Sequence, residues 1–185
     1  MNVILQEKAI ALRPVYTITT PNGELSAVKA WMPIPPKVEV KGPNRDIVAT
    51  LKGPLFSFFK PKWTITLADG RSYIFHCEKI IKKTFTAVSP TETYTLYTHR
   101  NLHFSIFKGE TQIAAFTRNR LSIGSGHTYS IDMNSDADVV LVSSMILALN
   151  TLTEDKKDKG LVGVGVEVGH IGPEDRPNDT SWQAA

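Results

Sequence analysis

The segment from Asp136 to Leu152 constrains the fold more than any other part of the sequence. Ser135 and Asp136, residue types preferred at helix N-termini, stand at its start, and the segment then stays apolar for about four turns. Its opening Val-Val-Leu-Val would also suit a strand, but its length favours a helix. Apolar side chains occur all the way round this helix, so it must be enclosed on every side. We predict a hydrophobic helix over residues 137–152 with protein wrapped around it.

A repeated phrase earlier in the chain predicts β-hairpins. An aromatic residue, a small hydroxyl residue and an isoleucine lead to Asn22-Gly23, and the same order leads to Asp69-Gly70. A shortened copy precedes Gly109, and Tyr129-Ser130-Ile131 is an echo without a turn. Asn-Gly and Asp-Gly supply the positive φ angles of tight hairpin turns. Alternating β-branched and aromatic residues flank these turns, so we predict three hairpins.

Further short strands separate the hairpins, with proline-containing turns between them. The candidates are Lys37–Lys41, Ile47–Lys52, Lys83–Val88, Thr93–Thr98 and Arg120–Ile123. About ten to twelve strands result, at the spacing of an all-β barrel or sandwich. A sheet curled around the helix would enclose it and remove exposed strand edges. The predicted fold is therefore mainly β: a closed antiparallel β-barrel of about twelve strands around a central hydrophobic C-terminal α-helix.

We expect residues 1–152 to form one domain and residues 153–185 to form a polar, Gly- and Pro-containing tail. The net charge of +3 is unevenly divided, because basic residues outnumber acidic ones up to 152 and the reverse holds in the tail. We interpret the tail as a loosely attached appendage, although its Val-rich piece could add an edge strand. Cys77 is alone and cannot form an internal disulfide. With no evident signal peptide or membrane-spanning run, we expect a cytoplasmic protein, with peripheral membrane attachment as an option.

The repeated hairpins, the phrase Thr128–Asp132 and the helix Asp136–Leu152 together resemble the LURP-one-related proteins. These belong to the tubby C-terminal-like superfamily, which also includes the phospholipid scramblases. The resemblance covers roughly residues 3–152 and implies a twelve-stranded barrel threaded by its C-terminal helix. Tubby domains bind phosphoinositide head groups through basic residues on the barrel wall, and scramblases are membrane-associated and calcium-dependent.

This sequence departs from both better-known branches of the superfamily. It lacks the proline-rich arm of scramblases and a plausible acidic calcium loop after the helix. In the second strand of the first hairpin, Lys29 stands where tubby has a dense cluster of Lys and Arg. The head-group site of tubby is therefore not transferred to this chain.

Three basic clusters are the candidate ligand-binding residues for an anionic lipid. They are Lys60 and Lys62, then Lys79, Lys82 and Lys83, then Arg118 and Arg120. The first cluster lies among aromatic residues, a composition that suits an anionic membrane surface. Arg118 and Arg120 would share one strand face and could grip a phosphate. The plainer interpretation is that all these side chains are solvated and that the neighbouring aromatics face the core.

Catalytic and metal-binding patterns are weak throughout. His99 and His103 have i, i+4 spacing, but on a strand their rings would lie about 13 Å apart, too far to share an ion. His76 and Cys77 fall on opposite strand faces and form no nucleophile pair by themselves. We expect no enzymatic activity, no cofactor and no metal.

The sequence thus favours a non-catalytic binding or scaffold module that docks on anionic phospholipid such as phosphoinositide. The alternative is a protein–protein interaction module that uses a barrel rim or the C-terminal tail. Nucleic acid is an improbable partner, and no transmembrane span is expected.

Overall fold

The structure, a computed structural model, describes residues 1–10, 13–30, 34–54, 61–79, 83–120, 127–158 and 175–185. For residues 9, 10, 13, 14, 120 and 153–158 the backbone alone is described. Twelve strands, a tight turn at Arg100–Leu102 and one α-helix make up the described elements. The strands are β1 (Asn2–Ile10), β2 (Arg13–Thr20), β3 (Gly23–Lys29), β4 (Lys37–Lys41), β5 (Ile47–Lys52), β6 (Lys62–Leu67), β7 (Ser72–Lys79), β8 (Thr84–Val88), β9 (Thr93–Thr98), β10 (His103–Lys108), β11 (Thr111–Arg120) and β12 (His127–Met133), and the helix is α1 (Val139–Asp158).

Each strand pairs antiparallel with its neighbours in the sequence, and β1 pairs with β12 to close the barrel. The three predicted hairpins are confirmed as β2–β3, β6–β7 and β10–β11. Gly23 and Gly70 hold φ angles of 125° and 90° in the first two turns, a region that side chains with a Cβ rarely adopt. Closure of the sheet confirms the predicted twelve-stranded barrel.

Alternate residues of every strand fill the barrel with apolar side chains. Trp63, Phe75 and Phe104 are among the largest of them, each at most 1% exposed. They surround α1, in which every residue from Leu141 to Leu152 is buried. The prediction of an enclosed hydrophobic helix is therefore confirmed, and α1 forms the centre of the hydrophobic core.

Asp138 determines where α1 begins. Its carboxylate accepts a hydrogen bond from the backbone N–H of Leu141 at 3.0 Å, which is the contact of an N-cap residue. The same carboxylate pairs with the Arg71 guanidinium at 2.6 Å and so ties the helix start to the β6–β7 turn. The predicted helix of about 137–152 starts close to the observed Val139, but its predicted end is too early, because α1 continues through Asp158.

Polar side chains inside the barrel set the rotation of α1. The Asn150 amide accepts a hydrogen bond from the Tyr129 hydroxyl at 2.8 Å and donates one to the Tyr16 hydroxyl at 3.1 Å. These bonds connect the helix to β12 and β2, on either side of β1. Apolar packing alone fixes the rotation of a helix only weakly, whereas hydrogen bonds are directional, so these buried bonds favour one rotation of α1 about its axis.

Two predicted strand boundaries need correction. The strand predicted from Lys83 begins at Thr84, because Lys83 has a φ of 45° and lies in the turn before it. Arg120 ends β11 rather than opening a new strand, and residues 121–123 lie outside the described residues. The other three predicted short strands have the predicted bounds.

Part of the predicted tail is attached to the barrel. We name residues 175–185 the C-terminal strap. The backbone of Ala185 accepts a hydrogen bond from the N–H of Ser135 at 2.8 Å and donates one to the Asn134 side chain at 3.0 Å. The amino group of Met1 donates to the carbonyl of Met133 at 2.6 Å, so both ends of the chain meet the segment between β12 and α1. The strap is therefore docked, where we expected a loose appendage.

Candidate functional site

The two ends of the barrel carry opposite charge. Because neighbouring strands run antiparallel, odd-numbered strands finish and even-numbered strands start at one end, which we name the basic end. Its described side chains include Lys8, Lys29, Lys37, Lys52, Lys62, Lys79, Lys83, Arg100 and Arg118. The opposite, acidic end carries eight carboxylates, which outnumber its cations Lys41, Arg45, Arg71 and Lys108: they are Glu24, Asp46, Asp69, Glu92, Glu110, Asp132, Asp136 and Asp138. The helix begins at the acidic end and finishes at the basic end, so its dipole is matched at both.

Four lysines on four adjacent strands form a row at the basic end. Lys37 starts β4, Lys52 ends β5, Lys62 starts β6 and Lys79 ends β7. Lys37, Lys52 and Lys62 each adjoin an inward-facing residue and so point outward. Lys79 follows a bulge and pairs with Thr84, the neighbour of inward-facing Phe85, which places it on the outer face as well. We name them the lysine arc. Three strand spacings of about 4.8 Å give the arc a width of roughly 14 Å.

The register sets two cations of the arc directly against each other. Lys37 and Lys52 are direct cross-strand partners, an arrangement of like charges that destabilises a sheet. Glu39 relieves part of this repulsion, since its carboxylate lies 2.7 Å from the Lys37 ammonium. That hydrogen bond lowers the pKa of Glu39. Lys52 and Lys62 are exposed and form no ion pair with any described residue, so an external anion can reach them.

Lys79 differs from the other members because an anion of the chain itself already binds it. The Asp175 carboxylate, in the C-terminal strap, lies 2.7 Å from the Lys79 ammonium. It also accepts a hydrogen bond from the Thr84 hydroxyl at 3.3 Å. Thr84 is the cross-strand partner of Lys79, so the two donors come from neighbouring strands. The hydrogen bond to Asp175 raises the pKa of Lys79.

The predicted basic residues distribute unevenly over this site. Lys62 and Lys79 belong to the arc, and Lys83 lies beside them in the turn before β8. Lys60 and Lys82 lie outside the described residues. Their roles in lipid binding stay predictions.

Arg118 and Arg120 are placed apart from the arc, at the end of β11. The Arg118 side chain is 9% exposed and faces the barrel interior, with its guanidinium carbon 5.7 Å from the centroid of the Tyr129 ring. It is therefore neither a solvated strand end nor a member of the outer row. The backbone of Arg120 keeps the predicted two-residue spacing on the same strand.

Sequence reasoning missed Lys37 and Lys52. A usable signal was present, because a lysine starts or ends each of four consecutive strands at alternating termini. In an up-and-down barrel such alternating positions converge at one end.

His99, His76 and Cys77 pack or hydrogen-bond with nearby strand residues. His99 is buried, with its Nε2 atom 2.7 Å from the Ser105 hydroxyl. His76 faces outward near Thr86, and Cys77 packs against the core, so the predicted opposite faces are confirmed. Within the described ranges, no three residues able to ligate a metal lie together. Nor does any described helix have the length and apolar character to cross a membrane.

Comparison with known proteins decides the family. The family model described as LURP-one-related matches residues 1–150, which include all twelve strands and most of α1. The chain belongs to the LURP-one-related family. No curated protein and no solved structure matches it significantly. The closed barrel of this LURP-one-related protein is consistent with the wider tubby-like relationship that its sequence suggested.

Proposed function

We propose that this LURP-one-related protein is a non-catalytic binding module that docks on anionic phospholipid through the lysine arc. The observation that supports this most is the row of four outward lysines on adjacent strands, two of them directly opposed. Such a row raises the energy of the isolated protein, and an anion that bridges the ammonium groups lowers it again.

The charge separation between the two ends gives the proposed docking a direction. A protein with basic residues concentrated at one end turns that end toward a negatively charged surface before contact. The cytoplasmic leaflet provides such a surface, and each Lys near it contributes about 1 kcal/mol to binding. The acidic end would then face away from the lipid.

A pair of charge-matched variants tests the proposal. Lys52→Gln with Lys62→Gln removes two exposed cations of the arc, whereas Lys41→Gln with Arg45→Gln removes two cations from the acidic end. At about 1 kcal/mol per lysine, the first variant should bind phosphoinositide-containing vesicles about 30-fold more weakly. The second should change binding less than about threefold, because it acts farther from the surface than the Debye length of ~8 Å.

Co-sedimentation with phosphatidylcholine vesicles, with and without phosphoinositide, provides the measurement at low and physiological salt. We expect binding that requires the phosphoinositide and weakens as salt rises. Absence of wild-type binding at low salt would show the proposed function to be wrong. Equal losses of vesicle binding in the two double variants would show that net charge, rather than the arc, controls binding. Capture of a defined protein partner, in the absence of vesicle binding, would favour the interaction-module alternative.

A further inference from the structure

The C-terminal strap contacts both the lysine arc and a separate aromatic site on the outer wall. The arc contact is the pair between Asp175 and Lys79 described above. The wall contact is made by Arg176, whose guanidinium carbon lies 3.9 Å from the centroid of the Phe107 ring and 5.9 Å from that of Tyr97. Phe107 and Tyr97 pack edge to face with ring centroids 5.5 Å apart. Consecutive residues of the strap therefore hold two different places on the barrel.

The outer wall beneath the strap is unusually well covered. Thr84 and Phe107 are at most 6% exposed although they face away from the barrel interior. The strap supplies part of this cover through Asp175 on Thr84 and Arg176 on Phe107. Arg176 also pairs with Glu110 at 3.2 Å. Stacking on the Phe107 ring holds Arg176 in place, whereas its pair with the exposed Glu110 adds little, so the ring contact is what positions the neighbouring Asp175.

We propose that the strap is a built-in competitor for the lipid site, in which the Asp175 carboxylate occupies the position of a head-group phosphate. This inference rests on the proposed function. The Lys79 ammonium and the Thr84 hydroxyl are donors that suit a phosphate oxygen as well as they suit a carboxylate oxygen. An ion pair on the surface holds weakly, so a phosphoinositide surface with several negative charges can displace the carboxylate.

Occupation by Asp175 lowers the charge that the arc presents. While the pair is formed, Asp175 balances the positive charge of Lys79. Of the other three lysines in the arc, Lys37 is paired with Glu39, and Lys52 and Lys62 face an incoming surface without a described counter-charge. Release of the strap restores the fourth cation. Docking of the protein on lipid should therefore proceed together with displacement of residues 175–185.

Arg176→Ala distinguishes general electrostatics from competition by the strap, because the two predict opposite changes in affinity for anionic vesicles. The substitution removes a positive charge, so general electrostatics predicts weaker binding to anionic vesicles. It also removes the anchor of the strap, so competition by Asp175 predicts about fivefold tighter binding from the freed Lys79. The wild-type protein and the variant are compared on phosphoinositide vesicles, and a thermal melt confirms that the barrel is folded.

Asp175→Asn keeps the shape of the strap and removes the competing charge. We expect it to bind the same vesicles between about five- and thirtyfold more tightly, since it frees Lys79 and deletes a negative charge. The matched control is Asp132→Asn, which makes the same change in net charge at the acidic end and should leave binding within about twofold. Hydrogen exchange of residues 175–185 should also become faster when vesicles are added to the wild-type protein.

The outcomes separate the two proposals. Wild-type binding with no gain in Arg176→Ala and Asp175→Asn would overturn the competitor role and leave lipid docking in place. Vesicle binding by the wild-type protein without faster hydrogen exchange in residues 175–185 would also overturn the competitor role and leave lipid docking in place. Failure of every form to bind at low salt would overturn the proposed function and the competitor role with it. Gains in both variants, even where the wild type binds weakly, would support both.

Discussion

Two serines inside the barrel provide a sharp test of the packing described for α1. Ser143 is 1% exposed and Ser144 is fully buried, and the Oγ atom of each lacks a hydrogen-bond partner in the described part of the chain. A buried hydroxyl without a partner costs about 1–3 kcal/mol. Replacement by Ala removes that cost and gains roughly 0.5 kcal/mol of helix propensity. The space left is smaller than a methyl group and costs less than about 1 kcal/mol.

We therefore expect Ser143→Ala and Ser144→Ala each to stabilise the protein by about 1 kcal/mol. Urea denaturation measures this directly, and a rise in Tm of about 2–4 °C should accompany it. Thr151→Val is the contrasting variant, because the Thr151 hydroxyl donates to the carbonyl of Leu147 at 2.9 Å. Its loss should destabilise by about 0.5–1.5 kcal/mol. If both serine variants lower the free energy of unfolding, the hydroxyls are satisfied in the folded protein and the reasoning fails.

Two further predictions concern the core and the acidic end. Ile146→Ala, at a fully buried position of α1, should cost about 2–5 kcal/mol in chemical denaturation, whereas Ile47→Ala at a 48% exposed strand position should change stability by less than about 0.5 kcal/mol. Hydrogen bonds from Lys108 and Tyr73 lower the pKa of Glu92 below its usual value of 4.5. Ionised Glu92 therefore stabilises the fold fully above pH 4.5, and this stabilisation is lost as the pH falls through the lowered pKa. Glu92→Gln should therefore destabilise at pH 7 and make little difference at the lowest pH where the protein stays folded; equal costs at both pH values would contradict this account.

The hairpins and the central helix could be predicted from the sequence because each depends on residues that are close together in the chain. Gly23 and Gly70, which follow Asn22 and Asp69, hold positive φ angles at the turns, and the alternation beside the turns sets which face of each strand is buried. The all-round apolar character of α1 required an enclosing sheet. The helix boundaries were less accessible, since more than one acidic residue could cap it and charged residues after Leu152 are compatible with continued helix.

The candidate site depends on relations between distant residues, which a single sequence reveals poorly. Lys37 and Lys79 lie far apart along the chain, and only the shared end of β4–β7 brings them into one row. Arg118 looked like a solvated strand end because charged residues usually are. Its burial follows from the register of β11 with β12, which places it beside the Tyr129 ring. The contact between Asp175 and Lys79 spans most of the chain and has no local signal.

The meeting of both chain ends at the segment between β12 and α1 has a practical consequence. Met1 and Ala185 hydrogen-bond to residues 133–135, at the barrel end remote from the lysine arc. A fluorophore or fusion partner joined at Met1 would lie at that end and leave the proposed lipid contact unobstructed, whereas one joined at Ala185 would move with the strap. The same placement makes distance measurements from a dye at Met1 to a labelled bilayer a direct report of how the barrel is tilted.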